Sequence, residues 1–367
     1  MTNRADLRPI DVVAQQDLQQ LLLAHPLDEL RDMRLLITGV TGFFGYWLLT
    51  AIDLLNAAGH RLEVVSLSRQ PLRFARSHPR LATAPWLRID AGDLRNARLP
   101  EGPFDAILHA ASDTSTTAAS APLLLFDNIL TGTRRTLQLA ADIGCPRVLL
   151  VSSGAVYGVA ATSTPVAEHH PCVGNPLDPA DAYAAGKRAM EMLAACMHQS
   201  CGLDVVVARC FAFVGAGLPL DGHFAIGNFI RDALADRPIE VRGSGRALRS
   251  YLYAADLVVW LLTILLRGKS GEAYNVGSDQ AYSICEVAGQ VRDNLAPALP
   301  IHVADRQASE PRPSYVPDIT RARSTLGLDV WTPLPVAIRR TAASAGHAAS
   351  IGQADAEIAP TGRQTTL

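Results

Sequence analysis

The sequence has no C-x-x-C pair among its six cysteines, Cys145, Cys172, Cys196, Cys201, Cys210 and Cys285, and their spacing suits neither a zinc site nor a dense disulfide framework. They are read as reduced and mostly buried thiols, and no metal is expected. Long hydrophobic runs are missing too. The most apolar stretch, Val258 to Leu266, falls far short of the roughly 20 residues that span a bilayer. The opening MTNRADLRPIDVVAQQ carries charges where a secretory signal needs an apolar core. No membrane partner and a cytoplasmic location are expected. Nor is there an excess of one charge: the formal net charge is −2 and the basic residues are scattered, which leaves no electrostatic footprint for nucleic acid. What the chain does have is core material. Of its 367 residues 49% are hydrophobic, enough for one large domain or two intimately joined ones.

Residues 1–33 mix charged positions with one apolar patch, Leu18 to Leu23, and read as a helical N-terminal extension. The pattern then changes. The short run RLLIT is followed by a glycine turn, a helix-period stretch from Phe43 to Ala58 and a second short run, LEVVSL, which is strand, helix, strand. Further runs follow at LRID (87–90), DAILHAA (105–111), RVLLVSS (147–153) and DVVVAR (204–209), with helix-length segments before the last two. This alternation predicts an α/β fold, a doubly wound parallel (Rossmann) sheet covered by helices on both faces. Residues 34–210 are expected to form the dinucleotide-binding domain, with 251–277 returning to it. Residues 211–250 and 278–345 are expected to form a smaller α/β substrate-binding region at the C-terminal side, and 346–367 a disordered tail.

In GVTGFFG, Gly39, Gly42 and Gly45 lie between the first strand and the first helix. Glycines there permit a tight turn and let a pyrophosphate approach the helix N-terminus, where free N–H groups and the dipole favour negative charge. An acid ending the second strand would hold the ribose 2′-hydroxyl of NAD, whereas an arginine accommodates the 2′-phosphate of NADP. Here the strand ends in Ser68 and Arg69, with Arg73 one turn on, which favours NADP over NAD. Asp93 and Leu94, in AGDLRN, are candidates to hold the adenine.

Tyr183 and Lys187 stand four apart in YAAGK, within a helical stretch, so both project from one face. An ammonium beside a phenol stabilises the phenolate, and the pair can move a proton at a hydroxyl while hydride passes between the same carbon and a nicotinamide. The spacing alone is weak. Its weight comes from the order of glycine turn, then VSSGAVYG, then YAAGK.

With these landmarks the chain resembles the extended short-chain dehydrogenase/reductase family, the group containing UDP-galactose 4-epimerase, sugar-nucleotide dehydratases and 4-ketoreductases. The resemblance covers about residues 34–340 and is carried by GVTGFFG, GDLRN, HAAS (109–112), DNILTGT (127–133), VSSGAVYG, YAAGK, RSYLYAADL (249–257) and YNVGS (274–278). It implies that Ser153 hydrogen-bonds the reacting oxygen, that Tyr183 is the acid/base, and that Lys187 tunes it and holds the nicotinamide ribose. Phe43 and Phe44 are implied beside the dinucleotide, His109, Ala110 and Ala111 as the strand end lining it, and Asn128 on its side. Ser112, Asn228 and Arg249 are implied on the substrate, Arg249 as a clamp on a diphosphate; its structural alternative is an ion pair with Asp256. His223 is a further candidate contact. A homodimer through the helices containing DNILTGTRRTLQLAA and Tyr183 is also implied.

The chain departs from the family's dehydratases at one place. They follow the active-site threonine with an Asp-Glu pair, and this chain has Gly154 and Ala155, which cannot transfer protons. That disfavours a 4,6-dehydratase and counts, less firmly, against a decarboxylase. The expected function is NAD(P)-dependent oxidoreduction or epimerisation of a nucleotide sugar. The alternatives are a reductase of a non-nucleotide carbonyl compound and a dinucleotide-binding protein without turnover.

Overall fold

Alternation along the short apolar runs decides the architecture. In the computed structural model, which describes residues 9–112, 120–158, 165–222, 224–305 and 313–345, six runs become strands: β1 (Arg34–Thr38), β2 (Glu63–Ser68), β3 (Leu87–Ala91), β4 (Ala106–His109), β5 (Val148–Ser153) and β6 (Val205–Cys210). Together with Ala273–Val276 they form one parallel sheet of seven strands, in the order β3, β2, β1, β4, β5, β6 and then Ala273–Val276 at the edge. Successive side chains point to opposite faces. Leu35 and Ile37, Leu149 and Val151, and Val206 and Ala208 enter one core. Leu36, Val148 and Leu150, and Val205 and Val207 enter the other. With both faces buried the strands need to be apolar throughout, which is why the runs do not alternate with polar residues.

The first core is closed by α1 (Pro9–Ala24), α2 (Phe43–Ala57) and the helices Ala254–Arg267 and Leu334–Ser344, the second by the helices Pro122–Asp142 and Ala182–Cys201. The apolar stretch Val258 to Leu266 is thus a buried helix. Among the described residues no helix is long and apolar enough to cross a membrane.

α1 belongs to the core. Val13, Leu18 and Leu21 are buried in it, and Asp17 faces Arg340 at 3.2 Å with both side chains 2% exposed. The Tyr253 hydroxyl donates to Asp17 Oδ2 at 2.5 Å and the Tyr46 hydroxyl to Asp11 Oδ1 at 2.8 Å. Charges this deep persist only when paired and hydrogen-bonded. The N-terminal segment is therefore joined to α2, to Tyr253 and to the C-terminal helix.

Three small strand sets complete the fold: Phe213–Val214 with Leu252–Tyr253, Ile239–Val241 with Ile301–Val303, and Leu248–Arg249 between Tyr282–Ser283 and Ser314–Tyr315. The cysteines differ from expectation. None is bonded to another, but Cys172, Cys196 and Cys201 are exposed, the last two on the outer side of a helix that buries Ala184, Met190 and Ala194 instead. The expected tail, 346–367, lies outside the described residues.

Candidate active site

The strand order reverses between β1 and β4, and in such sheets the crevice outside the carboxyl ends of those strands is where ligands bind. The three glycines of the β1–α2 turn have different physical duties there. Gly39 has φ +81°, and a Cβ on it would lie 2.8 Å from the backbone of Ala110 and Ala111. At Gly45 a Cβ would lie 2.2 Å from Val40 Cα, so that glycine seats the helix on its own turn. Gly42 needs neither: its φ of −92° suits any residue, and the nearest atom to a Cβ would be Gly39 O at 3.5 Å. The protein has no internal reason for glycine at 42. Gly42 is the N-cap of α2, with no side-chain cap and no acid in the first turn, so the helix N–H groups are open to an anion. These residues fit a dinucleotide pyrophosphate.

Phe43 and Phe44 follow on the first turn, Phe44 edge-on to Phe213 at 5.1 Å between ring centroids. At the end of β2, Ser68 Oγ accepts from Gln70 N at 3.1 Å, and the exposed Arg69 lies close enough to Asp93 to help hold its carboxyl below the usual range. The main cause of that depression is Arg95, which donates Nη2 to Asp93 Oδ2 at 3.0 Å and its backbone N to Oδ1 at 2.9 Å. The Asp93 carboxylate, expected on the adenine, is engaged by Arg95. The Leu94 carbonyl accepts from Arg135.

His109 is turned inward. It is 1% exposed, with Nδ1 2.9 Å from Thr38 Oγ1 and Nε2 3.3 Å from Thr133 Oγ1. Burial, and secondarily the Lys187 charge, push its pKa down to about 3, so the ring is neutral. It ties β1 and β4 to the helix Pro122–Asp142, while the backbones of Ala110 and Ala111 pack on Gly39. Asn128 is half-buried on the same helix.

Ser153, Tyr183 and Lys187 are brought together, the last two by their four-residue spacing on one helix and Ser153 from the end of β5. Ser153 ends β5 and caps the short helix Gly154–Tyr157, its Oγ accepting from Ala155 N at 3.2 Å. The Tyr183 phenol is pushed above its ordinary value by burial, against the opposing influence of the Ser153 and Ser112 hydroxyls. Lys187, 2% exposed, donates Nζ to Val151 O at 2.8 Å and lies 5.9 Å from the centre of the Tyr183 ring. The sequence expectation was an ammonium that draws the phenol down. Here burial prevails on Tyr183, the ammonium is held by a strand carbonyl, and burial lowers Lys187 to about 8. A neutral buried phenol is a proton donor at neutral pH.

Arg249 does not pair with Asp256. Its Nη1 donates to Leu248 O at 2.7 Å and its guanidinium lies 5.8 Å from the centre of the Tyr315 ring. Asp256 is buried and accepts instead from Trp331 N, Thr332 N and Thr332 Oγ1 at 3.0, 2.9 and 2.7 Å, its pKa raised to about 7 by burial. Asn228 donates Nδ2 to Gly222 O and accepts from Arg231, so its amide is taken up locally. His223 lies outside the described residues. Among the described residues no cluster of three or more His, Cys, Asp or Glu could hold a metal.

Two groups at the site were not anticipated. Tyr315 pairs in register with Arg249 and brings its hydroxyl 3.4 Å from Ser153 Oγ, with Phe211 against its ring at 4.8 Å. No local pattern announces it. Glu191 and Arg209 form a buried ion pair beneath the catalytic helix. A signal for Glu191 was present, since it continues the four-residue spacing of Tyr183 and Lys187.

A doubly wound sheet with an open glycine cradle at its switch point, and a serine, tyrosine and lysine beside it, defines a dinucleotide-dependent oxidoreductase of Rossmann type. The chain belongs to the NAD dependent epimerase/dehydratase family, whose profile its residues 35–277 match. It is similar to "UDP-glucuronic acid decarboxylase 1" of Xenopus tropicalis, 30% identical over 324 residues that cover 86% of this chain and 72% of that one. Among solved structures it is similar to DesIV, a dTDP-glucose 4,6-dehydratase from Streptomyces venezuelae with NAD and TYD bound. That likeness has a TM-score of 0.69 and 27% identity, covering 85% of this chain and 96% of that one. A UDP-glucose 4-epimerase from Thermotoga maritima with UDP-glucose shares the fold at a TM-score of 0.71 and 18% identity, over 86% and 99% of the two chains.

Proposed function

We propose that the protein oxidises or reduces a single carbinol carbon of a nucleotide-linked sugar, as an epimerase or a 4-ketoreductase, with Tyr183 as acid/base, Ser153 on the reacting oxygen and Lys187 supporting the pair. The observation that carries this is the set of protons available. Beside Ser153 stand the phenols of Tyr183 and Tyr315, and the Ser112 hydroxyl lies at the Tyr183 phenol, while Gly154 and Ala155 offer none. Gly154 also has no room to acquire a side chain, since a Cβ would lie 2.8 Å from the Phe211 ring. Such a site serves proton transfer at an oxygen better than elimination from carbon.

A bound NAD(P) supplies the hydride acceptor or donor. Gly39, Gly42 and Gly45 with the α2 N-terminus would hold its pyrophosphate, and Arg69 in the absence of a strand-end acid favours NADP. Arg249 would meet the diphosphate of the substrate, in keeping with nucleotide-sugar relatives. A homodimer is part of the proposal: the helices Pro122–Asp142 and Ala182–Cys201 leave Leu123, Leu124 and Met192 at 83%, 47% and 65% exposure.

Mass spectrometry of the nucleotides released on denaturation tests the reading. Near-stoichiometric NAD means a cofactor recycled within one turnover, which favours the epimerase over the ketoreductase; an empty protein or traces of NADP favour the ketoreductase. Tyr183→Phe is expected to lower hydride transfer by about 10²–10⁴-fold, the usual worth of a positioned acid/base. An unchanged rate in that variant refutes the enzymatic assignment.

A further inference from the structure

Glu191 stands four residues beyond Lys187, as Lys187 stands four beyond Tyr183, so all three lie on one face of the helix Ala182–Cys201. Its carboxylate is fixed from two strands. Ser152 of β5 donates Oγ to Oε1 at 2.5 Å, and Arg209 of β6 donates Nε to Oε1 at 3.1 Å and Nη2 to Oε2 at 2.7 Å. Arg209 is itself anchored, donating Nη1 to the Tyr157 hydroxyl at 2.8 Å and to Glu168 O at 2.9 Å. The ion pair is nearly dry, with side-chain exposures of 10% and 14%. A dry pair so often replaceable by apolar residues adds little stability of its own, which leaves its field as the thing to explain.

The groups that act on Lys187 come from every element around it. Tyr183 and Glu191 share its helix, Val151 O of β5 accepts a hydrogen bond from its Nζ, His109 faces it from β4 and Cys210 from β6. His109 is neutral above about 3, Cys210 is held as a thiol up to about 12 by burial, and the Tyr183 phenol is raised. Over the working pH range that leaves Glu191 as the one anion acting on Lys187 among the described residues.

We propose that Glu191 is a positioning residue of this active site: clamped by Ser152 and Arg209, its carboxylate keeps the Lys187 ammonium charged and fixes the catalytic helix against β5 and β6. The proposal rests on the assignment of Tyr183 and Lys187 as the acid/base pair, but its test does not. The chain contains two lysines, Lys187 and the exposed Lys269. Protein grown with ε-¹³C-lysine therefore gives two assignable signals, Lys269 serving as the internal reference.

In the wild type the Lys187 signal titrates near 8. In Glu191→Gln its midpoint falls by about one unit, the usual effect of removing a neighbouring opposite charge. In Ser152→Ala, which keeps the charge, it stays. The alkaline limb of the hydride-transfer rate moves down in step with the Glu191→Gln midpoint. Should that variant fail to fold around an unpaired Arg209, Glu191→Gln is made in an Arg209→Met background, and its midpoint must lie below that of Arg209→Met alone, a comparison in which only the Glu191 charge differs. A Lys187 midpoint unchanged by loss of the Glu191 charge overturns the proposal, even if activity is lost, because the loss is then structural. Absence of hydride transfer from any nucleotide sugar in the wild type refutes the proposed reaction and leaves the titration to decide on Glu191.

Discussion

Replacing Gly42 by alanine separates binding from folding at the glycine turn. The backbone at 42 has φ −92° and ψ −176°, and the added Cβ comes no nearer than 3.5 Å to any protein atom, so the folded chain accepts it without movement. The remaining cost is that alanine is a poorer N-cap than glycine, about 0.5 kcal/mol, and the melting temperature should fall by about 2 °C or less. The ligand fares differently. A pyrophosphate seated on the α2 N–H groups is forced away by the methyl, and losing two charge-assisted hydrogen bonds costs on the order of 3 kcal/mol, about a hundredfold in affinity. Calorimetric titration of NAD and NADP into both proteins, with thermal unfolding alongside, reads the two effects separately. Gly39→Ala and Gly45→Ala are the contrast: a Cβ would lie 2.8 Å and 2.2 Å from backbone atoms, so both should lose stability before affinity can be measured. Wild-type affinity in Gly42→Ala would show that the pyrophosphate does not sit on this helix and would remove the cofactor assignment of the turn.

Asp17→Ala removes the carboxylate that faces the buried Arg340 at 3.2 Å, and urea unfolding should report a loss on the order of 3–5 kcal/mol, largely recovered in Asp17→Leu with Arg340→Met. The His109 ring is held to about 3 when folded, against about 6.5 when unfolded. Between those values the unfolded chain binds the extra proton, so this residue makes stability fall as pH drops from about 6.5. His109→Gln should flatten that part of the urea midpoint between pH 7 and pH 5; Asp256, raised to about 7, acts in the opposite direction and is common to both proteins. A nucleotide sugar turned over in deuterium oxide should come back without deuterium on the carbons flanking the oxidised one. Deuterium there, seen by mass spectrometry, would mean that a base at the site removes protons from carbon.

The sheet was legible because both of its faces are buried, and a strand in that position must be an aliphatic run; RLLIT and RVLLVSS have no other use. The glycine turn and the Tyr183–Lys187 pair were legible because their geometry is local, set by one turn or by one four-residue step on a helix. The environments of the site residues were not, because each depends on partners distant in the chain. His109 is neutralised by burial beside Thr38 and Thr133, 71 and 24 residues away. Asp256, the alternative partner offered for Arg249, turns its carboxylate inward to Thr332, 76 residues on. For Asp93 the partner is local: Arg95, two residues on, donates to the carboxylate that was a candidate for the adenine, and the motif did not show that pairing.

The same division bears on what reaction follows the first hydride transfer. Epimerases, dehydratases and decarboxylases of nucleotide sugars can all begin by oxidising a carbinol carbon, so a serine, tyrosine and lysine set identifies that first step and no later one. What comes next depends on whether a base reaches a neighbouring C–H bond or whether the substrate carries its own leaving group. In this chain the glycine after Ser153 is packed against Phe211, the next residue is Ala155, and the carboxylate of Glu191 is locked by Arg209 beneath the helix. At the two positions after Ser153 there is accordingly no proton acceptor, in keeping with the proposed reading rather than with elimination of water. Loss of carbon dioxide does not need one, since a β-keto acid can decarboxylate once oxidised, and there the substrate rather than Ala155 decides.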